Sequence, residues 1–427
     1  MTRPLFTRRW TALSLLSLPL WAQAARSALV SGSAISDFGA VGDGATLNTR
    51  AIQSAIDHVA AQGGGTVVVP PGVFVSGALF LKPRVDLHLE KDAVLKCSTD
   101  LSNFPAQRTR IEGHFEDAFT PGLINADDCD GLKITGDGTL DGDGMTIWEQ
   151  FWKNRAASPG FANIGMARAR LAVLSNSRGV TVEGVTFKDS QFWNLHIYNC
   201  EDVLVRNARF EVPDDYRQAP STDGIDLDSC RKVTIDGCFF SVTDDCIAAK
   251  GSKGPFALDD TSSPPVEHIR VRNCTFKRGN GMLTLGSEAT IVRDIVVEDC
   301  KAIGKVQLAV LKLRPDTPQH YEDIHYRNIT LDSSVGGNII SVQPWKQYFD
   351  LKGQQPPKSV VRNISLTNIR GRFGSFGTIR PNPGQTEISD ILLKDIDVQL
   401  TQGTLNATGV DNLSIENVVV NGKPLTL

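Results

Sequence analysis

Apolar and polar positions along the chain fall into one eight-residue unit, apolar-x-apolar-x-turn-apolar-x-apolar, that recurs from the first third of the sequence to its end. It reads LKITGDGT from Leu132, VTVEGVTF from Val180, VLVRNARF from Val203, VTIDGCFF from Val233, IRVRNCTF from Ile269 and IVVEDCKA from Ile295. IHYRNITL from Ile324, ISLTNIRG from Ile364, ILLKDIDV from Ile391 and LSIENVVV from Leu413 follow. Period-two alternation on both sides of the fifth position predicts a short strand, a bend and a second short strand, each with one buried face. The fifth position is occupied by Gly136, Gly184, Asn207, Gly237, Asn273, Asp299, Asn328, Asn368, Asp395 and Asn417. These are the residue types that enter the left-handed backbone region most readily, glycine for want of a Cβ and Asn or Asp through local hydrogen bonding, so each unit is expected to turn a sharp corner there.

Where units follow closely, their starts lie 23 residues apart (180 to 203), 26 (269 to 295) or 22 (391 to 413). That spacing is one coil of a three-stranded solenoid and predicts an all-β, right-handed parallel β-helix, with longer gaps marking coils that carry loops. An antiparallel sandwich or propeller would need hairpin turns between units and no fixed corner inside each. Ahead of the first unit, residues 46–62 predict an amphipathic helix with Ala51, Ile52, Ala55, Ile56 and Val59 on one face, placed to cap the open end of the solenoid.

At the N-terminus, Arg3, Arg8 and Arg9 precede an apolar run from Trp10 to Trp21 and then Ala22-Gln23-Ala24. The pattern is that of a signal peptide over residues 1–25, with a hint of twin-arginine export in Thr7-Arg8-Arg9-Trp10. The run is too short to span a bilayer. A single solenoid domain is therefore expected over residues 30–427, in an exported protein, periplasmic or extracellular, with no membrane association after cleavage and a monomeric state. A formal net charge of −4 lacks the basic excess of a nucleic-acid binder, so any anionic partner must be held by a few local cations. Eight cysteines in an exported chain invite disulfides, but Cys238, Cys274 and Cys300 each stand five residues after the first apolar anchor of a unit, where other units carry Val, Ile or Ala. They are read as free, buried thiols. No Cys/His cluster suggests a metal, and no cofactor is called for.

Two acidic clusters carry the candidate chemistry: Ser221-Thr222-Asp223-Gly224-Ile225-Asp226-Leu227-Asp228 and Val242-Thr243-Asp244-Asp245-Cys246. Asp223 and Asp245 are 22 residues apart, one coil, so a parallel solenoid stacks them on neighbouring rungs about 4.8 Å apart. Three carboxylates that close cannot all ionise freely, and at least one must keep its proton. Such a set suits inverting glycoside hydrolysis, in which a protonated carboxyl serves the leaving oxygen and carboxylate activates water; turn residues or a calcium site are the other readings. Strict alternation sets Asp223 in phase with Ile225 and Asp245 with Ile247, which would point them inward, so a bulge or corner must re-aim them.

Asp37-Phe38-Gly39-Ala40-Val41-Gly42-Asp43-Gly44, Gly64-Gly65-Thr66-Val67-Val68-Val69-Pro70-Pro71-Gly72, Gly138-Thr139-Leu140-Asp141-Gly142 and Trp193-Asn194-Leu195-His196 resemble segments of polygalacturonases, glycoside hydrolase family 28. Thr222-Asp223-Gly224 and Asp244-Asp245-Cys246 resemble that family's two aspartate motifs. The resemblance runs from about Ile35 through the last units. It implies a single-stranded, pectin-lyase-like β-helix that hydrolyses pectic polysaccharide by inversion, with Asp244 as general acid and Asp223 and Asp245 holding the water. The chain departs from the family pattern twice. Gly279-Asn280-Gly281 stands where a histidine is usual, and Val310-Leu311-Lys312 where an arginine begins the motif. Asn280 can orient a carboxylate or hydroxyl but cannot take a proton, and Lys312 keeps a point charge without the guanidinium fork, for which Arg314, two residues on, is the candidate replacement. Lys250 is a further candidate substrate contact. Beside homogalacturonan, rhamnogalacturonan or modified pectin therefore stays open. A calcium-dependent pectate lyase and a solenoid that only binds polysaccharide are the alternatives in other classes. Four loops, residues 143–170, 211–221, 251–265 and 343–358, carry Trp148, Trp152, Phe161, Tyr216, Trp345 and Tyr348 and are expected to wall a cleft.

Overall fold

In the computed structural model, which describes residue 1 and residues 32–158, 160–216 and 218–426, all ten fifth-position residues have positive φ, from 51° at Asp395 to 106° at Gly136. The corner predicted from Gly, Asn and Asp is thus present in every unit. Strands before it, such as Glu201–Arg206, Arg231–Asp236 and Val266–Arg272, pair in parallel with their counterparts in the next coil. Strands after it, such as Arg209–Glu211 and Phe239–Ser241, form a second parallel sheet. A third parallel sheet contains Leu195–Tyr198, Ile225–Asp228 and Ile247–Lys250 and continues into the ends of Thr275–Leu285 and Lys301–Leu313. Three sheets joined by successive parallel crossovers make the right-handed β-helix.

A second left-handed residue stands immediately before the first apolar anchor of most units, which the sequence pattern does not announce: Asp202, Lys232, His268, Asp294, Asp323, Asn363, Asp390 and Asn412 all have positive φ. Lysine and histidine at this bend hide the composition signal that marks the other corner. Neighbouring corner amides stack, as in the bond from Asn368 Nδ2 to Asn328 Oδ1 at 2.8 Å. This ladder runs along the exposed edge of the corners.

One core runs the length of the coil. At the eighth position of four successive units, Phe187, Phe210, Phe240 and Phe276 stack with ring centroids 4.9, 5.1 and 5.0 Å apart. All eight cysteines are free and buried, so the thiols serve as core hydrophobes. Helix α1 (Thr49–Ala61) buries Ile52, Ala55, Ile56 and Val59 against the first coil, as the amphipathic pattern requires, while Ala51 is only partly covered. Residues 2–25, read as a signal peptide, lie outside the described residues, and among the described residues no helix is long and apolar enough to cross a membrane.

Candidate active site

The corner ahead of the third sheet resolves the phase of the aspartates. There the chain turns two consecutive side chains inward, Cys246 with Ile247, Met282 with Leu283 and Leu308 with Ala309, all in the core. In the Asp223 coil Gly224 takes the first of these places, where a Cβ would lie 2.4 Å from the Cys246 carbonyl and 2.8 Å from the Phe240 ring. Alternation is broken once, and Asp223 and Asp245 emerge on the outer face. Asp244, at the corner itself, reaches the same spot. One carboxylate oxygen from each lies within 4.8 Å of the other two.

Each of the three has different partners. Asp245 is closed on both oxygens: Oδ1 accepts from Thr284 Oγ1 at 2.8 Å and Oδ2 from Lys312 Nζ at 2.9 Å. Asp244 Oδ1 accepts from Asn280 Nδ2 at 2.9 Å and from the Asp245 amide at 3.0 Å, which leaves Oδ2 for a proton. Asp223 Oδ2 lies 3.8 Å from Lys250 Nζ. Burial, together with the neighbouring carboxylates, raises Asp223 well above the usual carboxylate range, and burial with Asp245 raises Asp244. Asp244 is the least buried of the three.

Lys250 stands behind this group, with Asp226 at 3.4 Å, Asp223 at 3.8 Å and Glu288 at 3.9 Å. Burial opposes its charge, but Asp226, Asp223 and Glu288 outweigh burial and lift its pKa well above the ordinary lysine value. Glu288, on which burial is overcome by Lys250 and Lys253, is held at about 2. Asp226 is different: burial pushes it up to about 7 against the pull of Lys250, and neither oxygen has a hydrogen-bond partner. A carboxyl so raised stabilises the fold fully below its unfolded value of about 3.9, and that contribution is lost as pH rises through about 7. Asp226→Asn is therefore expected to flatten the fall of stability between about pH 4 and 7, as measured by melting temperatures across that range; an unchanged slope would refute it.

The cleft over the aspartates encloses about 460 Å3. Of the residues expected at the site, Asp223, Asp244, Asp245, Lys250, Asn280 and Lys312 line it together. Arg314 does not. Its side chain is 1% exposed, paired with Asp316 at 2.8 Å, and it donates to the carbonyls of Gln347 and Tyr348. It holds the loop that carries Trp345 and Tyr348 to the cleft, so its charge is consumed within the fold. Of the loop aromatics, Trp152, Trp345 and Tyr348 line the cleft, whereas Trp148 packs on Tyr216 and Phe161 on Phe151. The stretch 251–265 contributes nothing to its lining. Sequence reasoning passed over Asp226, Thr284 and Glu288 as site residues, although Asp226 stood in the first acidic cluster, three residues from Asp223.

The three acidic side chains form a cluster that could in principle hold a cation. Lys312 and Lys250 already supply positive charge to two of them, which weakens the pull of the donor set on a further cation.

A parallel β-helix with converging carboxylates at the floor of a cation-flanked cleft defines a carbohydrate-active solenoid enzyme. The model of glycosyl hydrolases family 28 matches residues 89–421, and the chain belongs to that family of glycoside hydrolases. Residues 33–88 match a model described as rhamnogalacturonase A/epimerase, pectate lyase-like. A Vitis vinifera protein named "Probable polygalacturonase" is 30% identical over 69% of this chain, which spans 60% of that protein's length. An exopolygalacturonase of Zea mays is 27% identical over 79% of this chain and 76% of its own. Among solved structures, an exopolygalacturonase from Thermotoga maritima superposes with a TM-score of 0.61 at 24% identity, covering 92% of this chain and 93% of that one. The family 28 exopolygalacturonase of Yersinia enterocolitica gives 0.63 at 21% identity over 92% of this chain and 80% of its own. Both share the fold.

Proposed function

We propose that the chain is an exported hydrolase of α-galacturonosidic bonds in pectic polysaccharide, acting by inversion. The observation that carries this reading is the convergence of Asp223, Asp244 and Asp245 within 4.8 Å on the outer face of the third sheet. Asp244 donates the proton. Its Oδ1 is held by two donors, its Oδ2 is free to carry hydrogen, and it is the most accessible of the trio although Asp223 is pushed further up. Asp223 and Asp245 hold the water. As the bond from C1 to the leaving oxygen breaks, Asp244 gives its proton to that oxygen, water adds to C1 from the opposite face, and its proton passes to the carboxylate pair.

Close approach of the carboxyls resembles the spacing of retaining enzymes rather than the wider gap of inverting ones. Here, however, the third carboxylate allows water to be shared between two oxygens. Proton NMR of early product is expected to show the β-anomer first; the α-anomer would reverse the assignment.

On the leaving-group side Lys312 is paired to Asp245 and Arg314 is consumed by Asp316, while Val310 is apolar. That thin supply of cation favours a second reading, in which the leaving sugar is neutral, as rhamnose is in rhamnogalacturonan, because an unpaired buried cation would be costly there. A reducing-end assay on polygalacturonate, rhamnogalacturonan and esterified pectin decides between the two. Absorbance in the ultraviolet from unsaturated products, or loss of activity in chelator, would favour the calcium-dependent lyase instead, and no cleavage of any polymer would leave a binding solenoid. Export, inferred from residues 1–25, is tested by sequencing the N-terminus of protein recovered outside the cytoplasm.

A further inference from the structure

A β-hairpin of Gln107–Ile111 and His114–Phe119 lies across the third sheet. Its two turn residues, Glu112 and Gly113, have φ of 45° and 79°, the two-residue turn whose twist matches that of the flanking strands. The tip touches both walls of the groove. On the side where strands enter, Asn163 Nδ2 donates to Glu112 Oε1 at 2.7 Å, and Ser221 Oγ donates to Asn163 at 2.9 Å. On the side where strands leave, Gly113 is packed so closely that a Cβ would lie 2.7 Å from the Gly251 carbonyl and 3.0 Å from Glu288 Cβ.

The hairpin is anchored beneath as well. Arg110, 3% exposed, donates to Asp228 at 3.2 Å, Asp260 at 3.3 Å and Ser252 at 3.2 Å, and Ile111 packs with Trp193. Register places Trp193 one rung ahead of Asp223, since Leu195 pairs with Ile225. The groove is consequently divided. The 460 Å3 cleft over the aspartates and a hollow of about 540 Å3 on the far side of the hairpin share no lining residue. In the other direction the floor runs on through Asn280, Gln307 and Asn338, polar and at least partly exposed.

We propose that this hairpin closes the glycon end of the cleft and makes the enzyme exo-acting, removing one terminal sugar from the non-reducing end of an acidic chain. The proposal rests on the functional reading above. The general acid Asp244 is held from the Asn280 side, so the leaving group extends over Asn280 and Lys312 along the open floor. The sugar whose C1 is attacked must then lie toward Asp223 and Trp193, about one rung of 4.8 Å from the hairpin, and nothing longer fits before the wall. Glu112 and Asn163 there offer hydrogen bonds to the one terminal hydroxyl that is glycosylated in an interior sugar. Arg155 is an exposed cation on the same lining, suited to a sugar carboxylate.

Oligosaccharides of four to eight units, tagged at the reducing end, test this in both the galacturonate series and the alternating rhamnose–galacturonate series. The tag is expected to stay on products that shorten by one unit per step, while untagged monosaccharide accumulates. A spread of tagged fragments from the first sampling, or early release of the tag on a short fragment, would overturn the proposal while leaving hydrolysis established. No cleavage in either series would remove the functional reading and the proposal together. Replacing residues 109–117 by a short Gly-Ser linker is expected to convert stepwise loss into internal cuts; the wild-type pattern decides the matter if that variant does not fold.

Discussion

Asp244→Asn is expected to leave the solenoid folded and to lower turnover by a factor on the order of 10³ or more, in line with the general-acid contribution of about 10²–10⁴. Asparagine has nearly the same shape, and its carbonyl can still accept from Asn280 and from the Asp245 amide, so the corner keeps its bonds. Only the transferable proton is gone. Because burial and Asp245 raise the Asp244 carboxyl, neutral asparagine also removes a charge the site resists. Melting temperature should therefore be unchanged or higher. The loss should shrink on an aryl glycoside whose leaving group needs little protonation; an equal loss on both substrates would assign Asp244 a different role.

Lys250→Met carries the largest expected cost in stability, about 3–5 kcal/mol at neutral pH, the usual penalty for removing one partner of a buried ion pair. Asp226, Asp223 and Glu288 would lose the cation they share at 3.4–3.9 Å, and only Lys253, 4.0 Å from Glu288, would remain. The sign with pH follows from Glu288. Held at about 2 in the native protein, it contributes stability above its unfolded value of about 4.3, and that contribution is lost as pH falls through about 2. The variant loses the part of it that Lys250 supplies, while Lys253 remains, so the gap between the two proteins is widest at pH 7 and narrows below about pH 4. Denaturant unfolding at pH 7 and about pH 2.5 measures this; an equal gap at both would mean that Lys250 matters for packing rather than charge. Activity should also fall sharply, because Asp223 loses the cation that faces it.

The coil was legible because its signal is local. Asn207, Asn273, Asn328 and Asn417 announce left-handed corners by residue type alone, and all are left-handed. The companion corner at Lys232 and His268 was not legible, since neither residue favours that conformation intrinsically and the surrounding sheets impose it. Alternation placed Asp223 and Asp245 one coil apart but pointed them the wrong way. The reversal depends on Cys246 and Ile247 both facing the core and on Gly224 clearing the Phe240 ring.

Other parts of the site lay further from any local pattern. Arg314 looked available two residues from Lys312, yet Asp316 and two loop carbonyls take its whole guanidinium. Glu288 becomes a partner of Lys250 only through pairing of separate coils, and the hairpin over residues 107–119 precedes the repeats from Leu132 onward and carries none of their pattern.

The sequence by itself determined the coil, its fifth-position corners, its apolar filling and the candidate acids, because backbone preference and hydrophobic alternation act within a few residues. Tertiary structure alone decided which way the acids face, which cations remain uncommitted and where the cleft ends. Those outcomes depend on burial and on charge partners from 24 to 67 residues apart in the chain, as between Asp226 and Lys250 or Asp245 and Lys312, and no local pattern encodes such pairings.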